Sequence, residues 1–224
     1  CKNKDYRECE SKKSIGFDLP GTFSEEIVVN QHFVIPVKRD ITYDQASLIE
    51  YLSCSYRLVM EVREYSASPD TPILIIGDGP VALSNVQMLT YFGYDNITVI
   101  GKHDIRLNFA DNFGAKYTFK HDQLNSLNKL NKFKVCIYSV RADNTLFSVL
   151  DFLYANALLL LQARLMSNKL EFKLRSMQLT FGRAFAYYIG DFDSVINLVA
   201  DGFINTSLII SNKVSLFRAA KILQ

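Results

Sequence analysis

The feature that most constrains the fold is a short apolar segment followed by two glycines and a helical pattern. Ile73 to Ile76 are four consecutive aliphatic residues, a length and composition typical of a buried strand. Gly77-Asp78-Gly79-Pro80-Val81-Ala82 follows directly, and residues 80–92 then repeat apolar side chains at helical spacing. The sequence therefore predicts a tight turn between a strand and a helix, with proline in the first helical turn.

Strand-like and helical segments continue to alternate after this turn. We predict further strands at Ile97–Ile100, Lys116–Phe119, Phe133–Val140 and Ala157–Leu161, and helices at Asp104–Phe113 and Asn144–Leu153. Such alternation implies right-handed crossovers and a parallel sheet with helices on both faces. The predicted class is therefore α/β.

The flanking segments have a different pattern. Residues 22–36 mix β-branched and aromatic residues with polar ones and predict short antiparallel strands, whereas residues 43–65 have a helical period. Residues 168–182 predict a connection and a strand. A helix follows, with Asp191 as its N-cap and Gly202 as its C-terminal stop. The chain then continues with a strand at residues 207–211 and a helix at residues 214–223.

The glycine turn matches the G-x-G-x-x-G/A pattern of Rossmann dinucleotide-binding domains, with Ala82 in the third position. Gly77 would form the tight turn, and Gly79 would allow a pyrophosphate to approach the backbone at the helix N-terminus. Because short glycine motifs also occur without a ligand, a purely structural turn stays the alternative.

The residue that binds the adenosine ribose is expected about 20 residues after the glycines, at the end of the second strand. Gly101 occupies that place, and Lys102, His103 and Arg106 surround it. The absence of a carboxylate there and the positive charge favour a ribose 2′-phosphate, and hence NADP over NAD. Alternatively, Lys102 and Arg106 are solvated charges at a helix end.

Composition argues against two classes of partner. The formal net charge is +2, and no Lys and Arg cluster is interleaved with aromatic residues, so nucleic acid is not indicated. The most apolar region, residues 146–166, contains Asp151, Asn156, Gln162 and Arg164, which are costly in a bilayer, so a membrane partner is not indicated either. With no apolar secretory signal at the N-terminus, we expect a cytoplasmic protein.

Four stretches together resemble the zinc-type medium-chain alcohol dehydrogenases, with a likeness to polyol and threonine dehydrogenases. They are "GTFSEEIVVNQHFVIP", "ASLIEYLSCSYRLV", the segment from Ile73 to Ala115 and "DFDSVINLVADGFIN". The resemblance implies an N-terminally incomplete chain with three parts: residues 1–42 from a GroES-like catalytic domain, residues 43–190 as the Rossmann cofactor domain, and residues 191–224 returning to the catalytic domain.

The resemblance also assigns a cofactor site and a role to two of the four cysteines. It implies that the cofactor contacts Gly77, Gly79, Pro80, Val81, Gly101, Lys102, Arg106, Ser139 and Val140. Cys1 and Cys9 have the spacing of the last two ligands of the family's structural zinc site, which needs four ligands, so cysteines would have to precede Cys1. Two unrelated surface thiols are the alternative, whereas Cys54 and Cys136 are interpreted as buried thiols.

Catalytic residues are sparse in this segment. Glu50 matches a glutamate that some polyol and threonine dehydrogenases place on or near the catalytic zinc, although Tyr51 replaces the usual proline; a surface carboxylate is the alternative. The family's glycines around the fifth strand are also missing, since no glycine occurs between Gly114 and Gly182. Side chains at Gln162 and Ala163 would then crowd a nicotinamide ring.

These features favour an NADP-preferring alcohol or polyol dehydrogenase that transfers hydride between a nicotinamide cofactor and a small alcohol or carbonyl substrate, with zinc if upstream ligands exist and NAD as the other coenzyme. A degenerate relative that binds a nucleotide or a protein without chemistry is the alternative. A zinc-free relative of the quinone reductases is a third hypothesis, but leaves Cys1 and Cys9 without a purpose. The resemblance further implies a homodimer formed through a sheet edge.

Overall fold

The computed structural model describes residues 9–37, 39–66, 68–140, 143–162, 177–183 and 187–222. Contacts divide the chain into two compact units. The larger unit spans Ile41–Ile209, and the smaller one combines Cys1–Asp40 with Ile210–Gln224.

The larger unit contains a six-stranded, all-parallel sheet. Its strands are β1 (Ile73–Ile76), β2 (Ile97–Gly101), β3 (Tyr117–Lys120), β4 (Phe133–Tyr138), β5 (Leu153–Leu161) and β6 (Thr180–Arg183). They lie in the order β3-β2-β1-β4-β5-β6, with Ile73 of β1 in register with Ile97 on one side and Val135 on the other. This order places a switch point between β1 and β4, where Rossmann folds bind ligands beyond the carboxyl ends of the strands.

Helices connect and cover these strands. They are α1 (Tyr43–Ala46), α2 (Ile49–Tyr65), α3 (Pro80–Tyr91), α4 (Asp104–Asn112), α5 (Asp143–Val149) and α6 (Asp191–Ala200), with 3₁₀ turns at His121–Lys129 and Leu150–Phe152. The α/β prediction is confirmed, and every predicted strand of the parallel sheet is present, with ends that differ by a few residues.

Both faces of the sheet are buried, which explains the continuous apolar runs in its strands. On one face, Leu74, Cys136 and Leu159 pack with Leu146 and Val149 of α5. Side chains at alternate positions point to the opposite face, where Ile75, Val99 and Ile137 are also fully buried. Helix α2 packs against α3, β5, β6 and α6 in the same unit.

Three predictions in the larger unit are corrected by the structure. The helix predicted over residues 43–65 is interrupted at Ser47 and Leu48, because Thr42 and Gln45 form a capping box that defines a separate first turn. Asp191 is the first residue of α6 and not its N-cap; Gly190 holds that position, because the Asp191 carboxylate is bonded to Arg57. Gly202 ends the helix as predicted, at a φ of 77°.

The strand predicted at residues 207–211 is also absent. The chain turns at residues 207–209 instead, because the Asn205 side chain accepts hydrogen bonds from the backbone N–H and the hydroxyl of Ser207. An asparagine that bonds to the backbone two residues later forms a local turn and competes with strand pairing.

The described part of the smaller unit has little regular structure. It contains an isolated bridge between Ile15 and Leu19, a 3₁₀ turn at Gln31–Phe33 and helix α7 (Leu216–Ile222). The antiparallel strands predicted over residues 22–36 are therefore wrong for this structure. Phe23 and Val28 are 73% and 100% exposed, so the segment has neither a buried face nor a paired neighbour to hold an extended ladder.

Candidate functional site

The glycine turn leaves β1 at the centre of the sheet. Gly77 has a φ of 127°, a conformation that favours glycine, and its N–H donates to Ile100 O at 2.8 Å. A Cβ on Gly77 would lie 3.0 Å from Cγ1 of Val140, so the end of β4 closes over this residue. The turn is therefore fixed from both neighbouring strands.

The next residues open the N-terminus of α3. Gly79 is its N-cap, Pro80 is the first helical residue, and the first helical hydrogen bond runs from Leu83 N to Gly79 O. Within the described residues, no acceptor is found for the N–H groups of Gly79, Val81 and Ala82. A Cβ on Gly79 would meet nothing within 4 Å. Open space above free helix N-terminal amides is the geometry that binds phosphate.

The side chain of Asp78 turns away from this space towards the end of β2. Its Oδ2 accepts hydrogen bonds from Lys102 N at 2.8 Å and from His103 N at 2.7 Å, and lies 2.9 Å from His103 Nδ1. Arg106 Nη1 lies 3.8 Å from Oδ1. The Asp78 side chain is only 10% exposed. It therefore anchors the turn between β2 and α4.

Gly101 is the residue that makes room for this carboxylate. A Cβ there would lie 2.6 Å from Cβ and 2.9 Å from Cγ of Asp78. Burial tends to raise the pKa of Asp78, but the amides of His103 and Lys102 and the His103 ring outweigh burial and lower it. Asp78 is therefore a carboxylate at neutral pH.

Two of the basic residues predicted at the ribose site flank this carboxylate. Lys102 approaches Asp78 through its backbone N–H, and Arg106 through its guanidinium group. Part of the positive charge expected for a 2′-phosphate is thus offset by an acid from the glycine turn itself.

A hydrogen-bonded triad spans the carboxyl ends of β4 and β5. Gln162 Oε1 accepts from Ser139 Oγ at 2.7 Å and from Asn85 Nδ2, on α3, also at 2.7 Å. Asn85 is fully buried, and its Oδ1 has no partner among the described residues. The Gln162 side chain therefore lies between the ends of β4 and β5 and the helix α3. Whether it crowds a nicotinamide ring stays a prediction, and Ala163 lies outside the described residues.

Glu50 lies in the first turn of α2 and is exposed. Burial, together with the negative charge of Glu50, raises the pKa of Tyr187, whose ring packs edge-on against Phe192 with centroids 5.0 Å apart. Burial raises the pKa of the nearby Cys54 thiol to about 11, and the charges of Glu50 and Asp191 add to this rise. Cys54 is therefore a protonated thiol at neutral pH and a weak nucleophile.

An ion pair between Arg57, one helical turn after Cys54, and Asp191 holds α2 and α6 together. Arg57 donates from Nε to Asp191 Oδ2 at 3.0 Å and from Nη2 to Oδ1. Tyr188 N also donates to Asp191 at 2.7 Å, and the guanidinium carbon lies 4.5 Å from the centre of the Tyr188 ring. The pair fixes the helix that carries Glu50 against the C-terminal part of the unit.

The metal predictions are not tested by the described residues. Cys1 lies outside the described residues, and Cys9 is a free thiol in the smaller unit. Among residues 9–222, apart from the undescribed gaps, no group of three or more His, Cys, Asp and Glu could hold a metal ion. The fit of zinc to Glu50, Cys1 and Cys9 stays a prediction.

Sequence reasoning identified the turn but missed two site residues. Asp78 occupies a position that the motif leaves unspecified, and no periodicity indicates where its side chain turns. Asn85 lies in the interior of the helix predicted over residues 80–92, and no sequence pattern indicates its contact with Gln162. The only sequence signal for the Asp78 contact is the pairing of an acid in the turn with a glycine at the end of the second strand.

No helix in the described part of the chain combines the length and apolar character needed to cross a membrane. No protein-family model matches the chain.

The sheet order and the connections of the larger unit define a Rossmann-type α/β fold. Known proteins then place it more narrowly. The chain is 24% identical over 229 residues to "Probable D-xylulose reductase A" of Neosartorya fischeri, covering 96% of this chain and 63% of that protein. It is 28% identical over 117 residues to (R,R)-butanediol dehydrogenase of Saccharomyces cerevisiae, covering 52% of this chain and 30% of that enzyme.

Among solved structures, alcohol dehydrogenase TADH from Thermus sp. ATN1 superposes with a TM-score of 0.82 at 22% identity, covering all of this chain and 68% of that one. These comparisons confirm the resemblance to the zinc-type alcohol and polyol dehydrogenases. The chain spans less than two thirds of the length of the two curated relatives.

Proposed function

We propose that this chain carries the coenzyme-binding part of an NAD(P)-dependent alcohol or polyol dehydrogenase, with NADP as the expected coenzyme and NAD as the other one. The observation that carries the proposal is the open space above Gly79, next to the amides of Val81 and Ala82, which have no acceptor in the described part of the chain. This cradle lies at the switch point of the sheet, where a diphosphate is expected. Similar folds include a Sinorhizobium meliloti protein, described as a zinc-binding dehydrogenase, that was solved with NADP (TM-score 0.76, 18% identity, covering 96% of this chain and 66% of that one).

The residues present divide the work of binding. The N-terminal amides and dipole of α3 would hold the diphosphate, and the missing side chain at Gly79 would permit its approach. Lys102 and Arg106 supply positive charge beside the ribose. Ser139 and Val140 follow β4 directly and lie next to Gly77, so they would contact a coenzyme bound at this turn. The coenzyme, when bound, supplies the hydride acceptor or donor.

The described residues include no group of metal ligands, and the predicted role of zinc depends on Glu50 and on ligands that precede Cys1. We further propose a cytoplasmic homodimer. The edge strand β6 supports the dimer, because it carries Phe181, which is 51% exposed, and no described strand pairs with its outer side. A monomer in sedimentation at micromolar concentration contradicts the dimer.

The Gly79→Ala variant tests the coenzyme site. The new methyl group meets nothing in the protein, and Gly79 has a φ of −75°, so the fold is expected to tolerate it. The methyl group would, however, project into the space assigned to the diphosphate. We expect NADPH and NADH binding, followed by coenzyme fluorescence, to weaken about tenfold or more, since a misplaced methyl group prevents close approach to the amides.

Gly190→Ala is the matched control. Gly190 is also an N-cap, with a φ of −66° and nothing within 4 Å of an added Cβ, but it caps α6. The control is expected to unfold at the same temperature as Gly79→Ala and to bind coenzyme like the unaltered chain. Equal binding by the two variants contradicts the assignment of the turn.

A second candidate function is a nucleotide-binding relative without hydride transfer. It is favoured by Gln162, whose side chain is tied to Ser139 and Asn85 across the sheet edge. Turnover assays of the complete protein with alcohols and polyols distinguish the two functions. An alcohol dehydrogenase oxidises at least one of these substrates with its coenzyme. The second candidate binds coenzyme but leaves all of them unchanged.

A further inference from the structure

Asp78 occupies the place in which a Rossmann domain usually carries an acidic side chain from its second strand. In such domains the acid at the end of that strand accepts a hydrogen bond from the ribose 2′-hydroxyl. Gly101 stands there in this chain, and Cβ of Asp78 lies 2.6 Å from the point where a Gly101 side chain would begin. The carboxylate is thus delivered to the ribose position from the glycine turn instead of from β2.

The two oxygens of this carboxylate are in different environments. Oδ2 accepts from two backbone amides and contacts the His103 ring, so it is saturated. Oδ1 has no hydrogen-bond donor within 3.5 Å among the described residues, and its nearest cation, Arg106 Nη1, is 3.8 Å away. Oδ1 is not among the fully buried unpaired atoms of the described residues, so it keeps access to solvent and to a ligand, next to an incompletely engaged cation.

We propose that Asp78 is a determinant of coenzyme specificity, whose Oδ1 accepts a hydrogen bond from the ribose 2′-hydroxyl of NAD(H) and whose charge opposes the 2′-phosphate of NADP(H). This inference rests on the proposed coenzyme-binding function. The preference that Lys102 and Arg106 give to a phosphate is therefore reduced by an acid that both of them flank. The ratio of the two affinities is set by this balance and not by the basic residues alone.

Asp78→Asn in the full chain tests the proposal. Asparagine keeps the shape and an acceptor oxygen for the amides of Lys102 and His103, but removes the charge. We expect the Kd of NADPH divided by the Kd of NADH to fall about tenfold or more, since two anions a few ångströms apart repel each other strongly near a protein surface. Calorimetry with adenosine 2′,5′-bisphosphate and AMP should show the same change of ratio without a nicotinamide ring.

Arg106→Gln tests the same balance from the other side, at an exposed position of α4. It should raise the ratio about tenfold, because the remaining carboxylate then opposes the phosphate with less compensation. Thermal unfolding of each variant verifies that it is folded. Should Asp78→Asn not fold, Asp78→Ser, which also removes the charge, replaces it: a fall of the ratio supports the proposal, and an unchanged ratio overturns it.

Failure of the proposed coenzyme-binding function and failure of the proposed role of Asp78 give different results. If the unaltered chain and both variants bind neither coenzyme, the proposed function fails and this inference fails with it. If they bind both coenzymes and the ratio stays constant in Asp78→Asn, the coenzyme site stands and only the role of Asp78 is overturned.

Discussion

Replacing Asp191 by alanine should strongly destabilise the larger unit. The Asp191 side chain is 5% exposed and that of Arg57 is 17% exposed, so both charges of the pair are largely removed from water. The substitution removes three hydrogen bonds to the carboxylate and leaves the guanidinium group without its counter-ion. Removing one partner of a buried pair costs about 3–5 kcal/mol.

That loss is large compared with the total stability of a domain, about 5–15 kcal/mol. For a chain of this size it corresponds to a decrease in Tm of about 6–20 °C. The assay is urea unfolding together with thermal unfolding followed by circular dichroism. Asp191→Asn, which keeps an acceptor for Tyr188 N and for Arg57 but loses the charge, should fall between the alanine variant and the unaltered chain.

Asp193→Ala provides the matched control. Asp193 lies in the same first turn of α6, but its side chain is exposed. It loses only the favourable interaction of an acid with the helix N-terminus, about 0.3–1 kcal/mol. If Asp191→Ala is no more destabilising than Asp193→Ala, the Arg57 pair does not hold α2 and α6 together, and the argument from burial is wrong.

Two further predictions concern ionisation. The pKa of Asp78 is lowered in the folded chain, so its contribution to stability is present above the unfolded pKa, about 3.9, and is lost as the pH falls through the folded value. Urea unfolding at several pH values should therefore show that the stability difference between the unaltered chain and Asp78→Asn shrinks below about pH 4. A difference that is constant with pH refutes this prediction. Burial raises the pKa of the Cys136 thiol to about 12, so N-ethylmaleimide at pH 8 should label Cys136 only in urea. Mass spectrometry of the Cys136 peptide measures the labelling. Labelling of the folded chain contradicts the buried position of Cys136 within the sheet.

The parallel sheet could be predicted because local and global signals agree in it. Ile73–Ile76 are apolar throughout, and Phe133–Tyr138 are apolar except for the exposed Lys134, as expected for strands buried on both faces. The glycine turn fixes the connection that follows β1. The segment at residues 22–36 gives a strand signal of similar strength, but strand formation depends on a partner that propensity does not report. The turn at Asn205 was missed for a related reason, because a side-chain hydrogen bond within three residues overrode the apolar pattern.

From the sequence, the candidate site could be predicted only where backbone groups, and not side chains, form it. Gly77 and Gly79 could be assigned because their roles follow from a missing side chain, which the sequence displays directly. The predicted ribose site depends instead on the direction of the Asp78 side chain. In the sequence, Gly101 is compatible with two arrangements: a site without an acid, or a site with space for an acid from another segment. The structure supports the second arrangement, since the added Cβ of Gly101 and the Cβ of Asp78 would occupy the same volume. A change from Gly101 to a larger residue is therefore compatible with this packing only if residue 78 changes to a smaller one, so the identities of the two residues are coupled by packing.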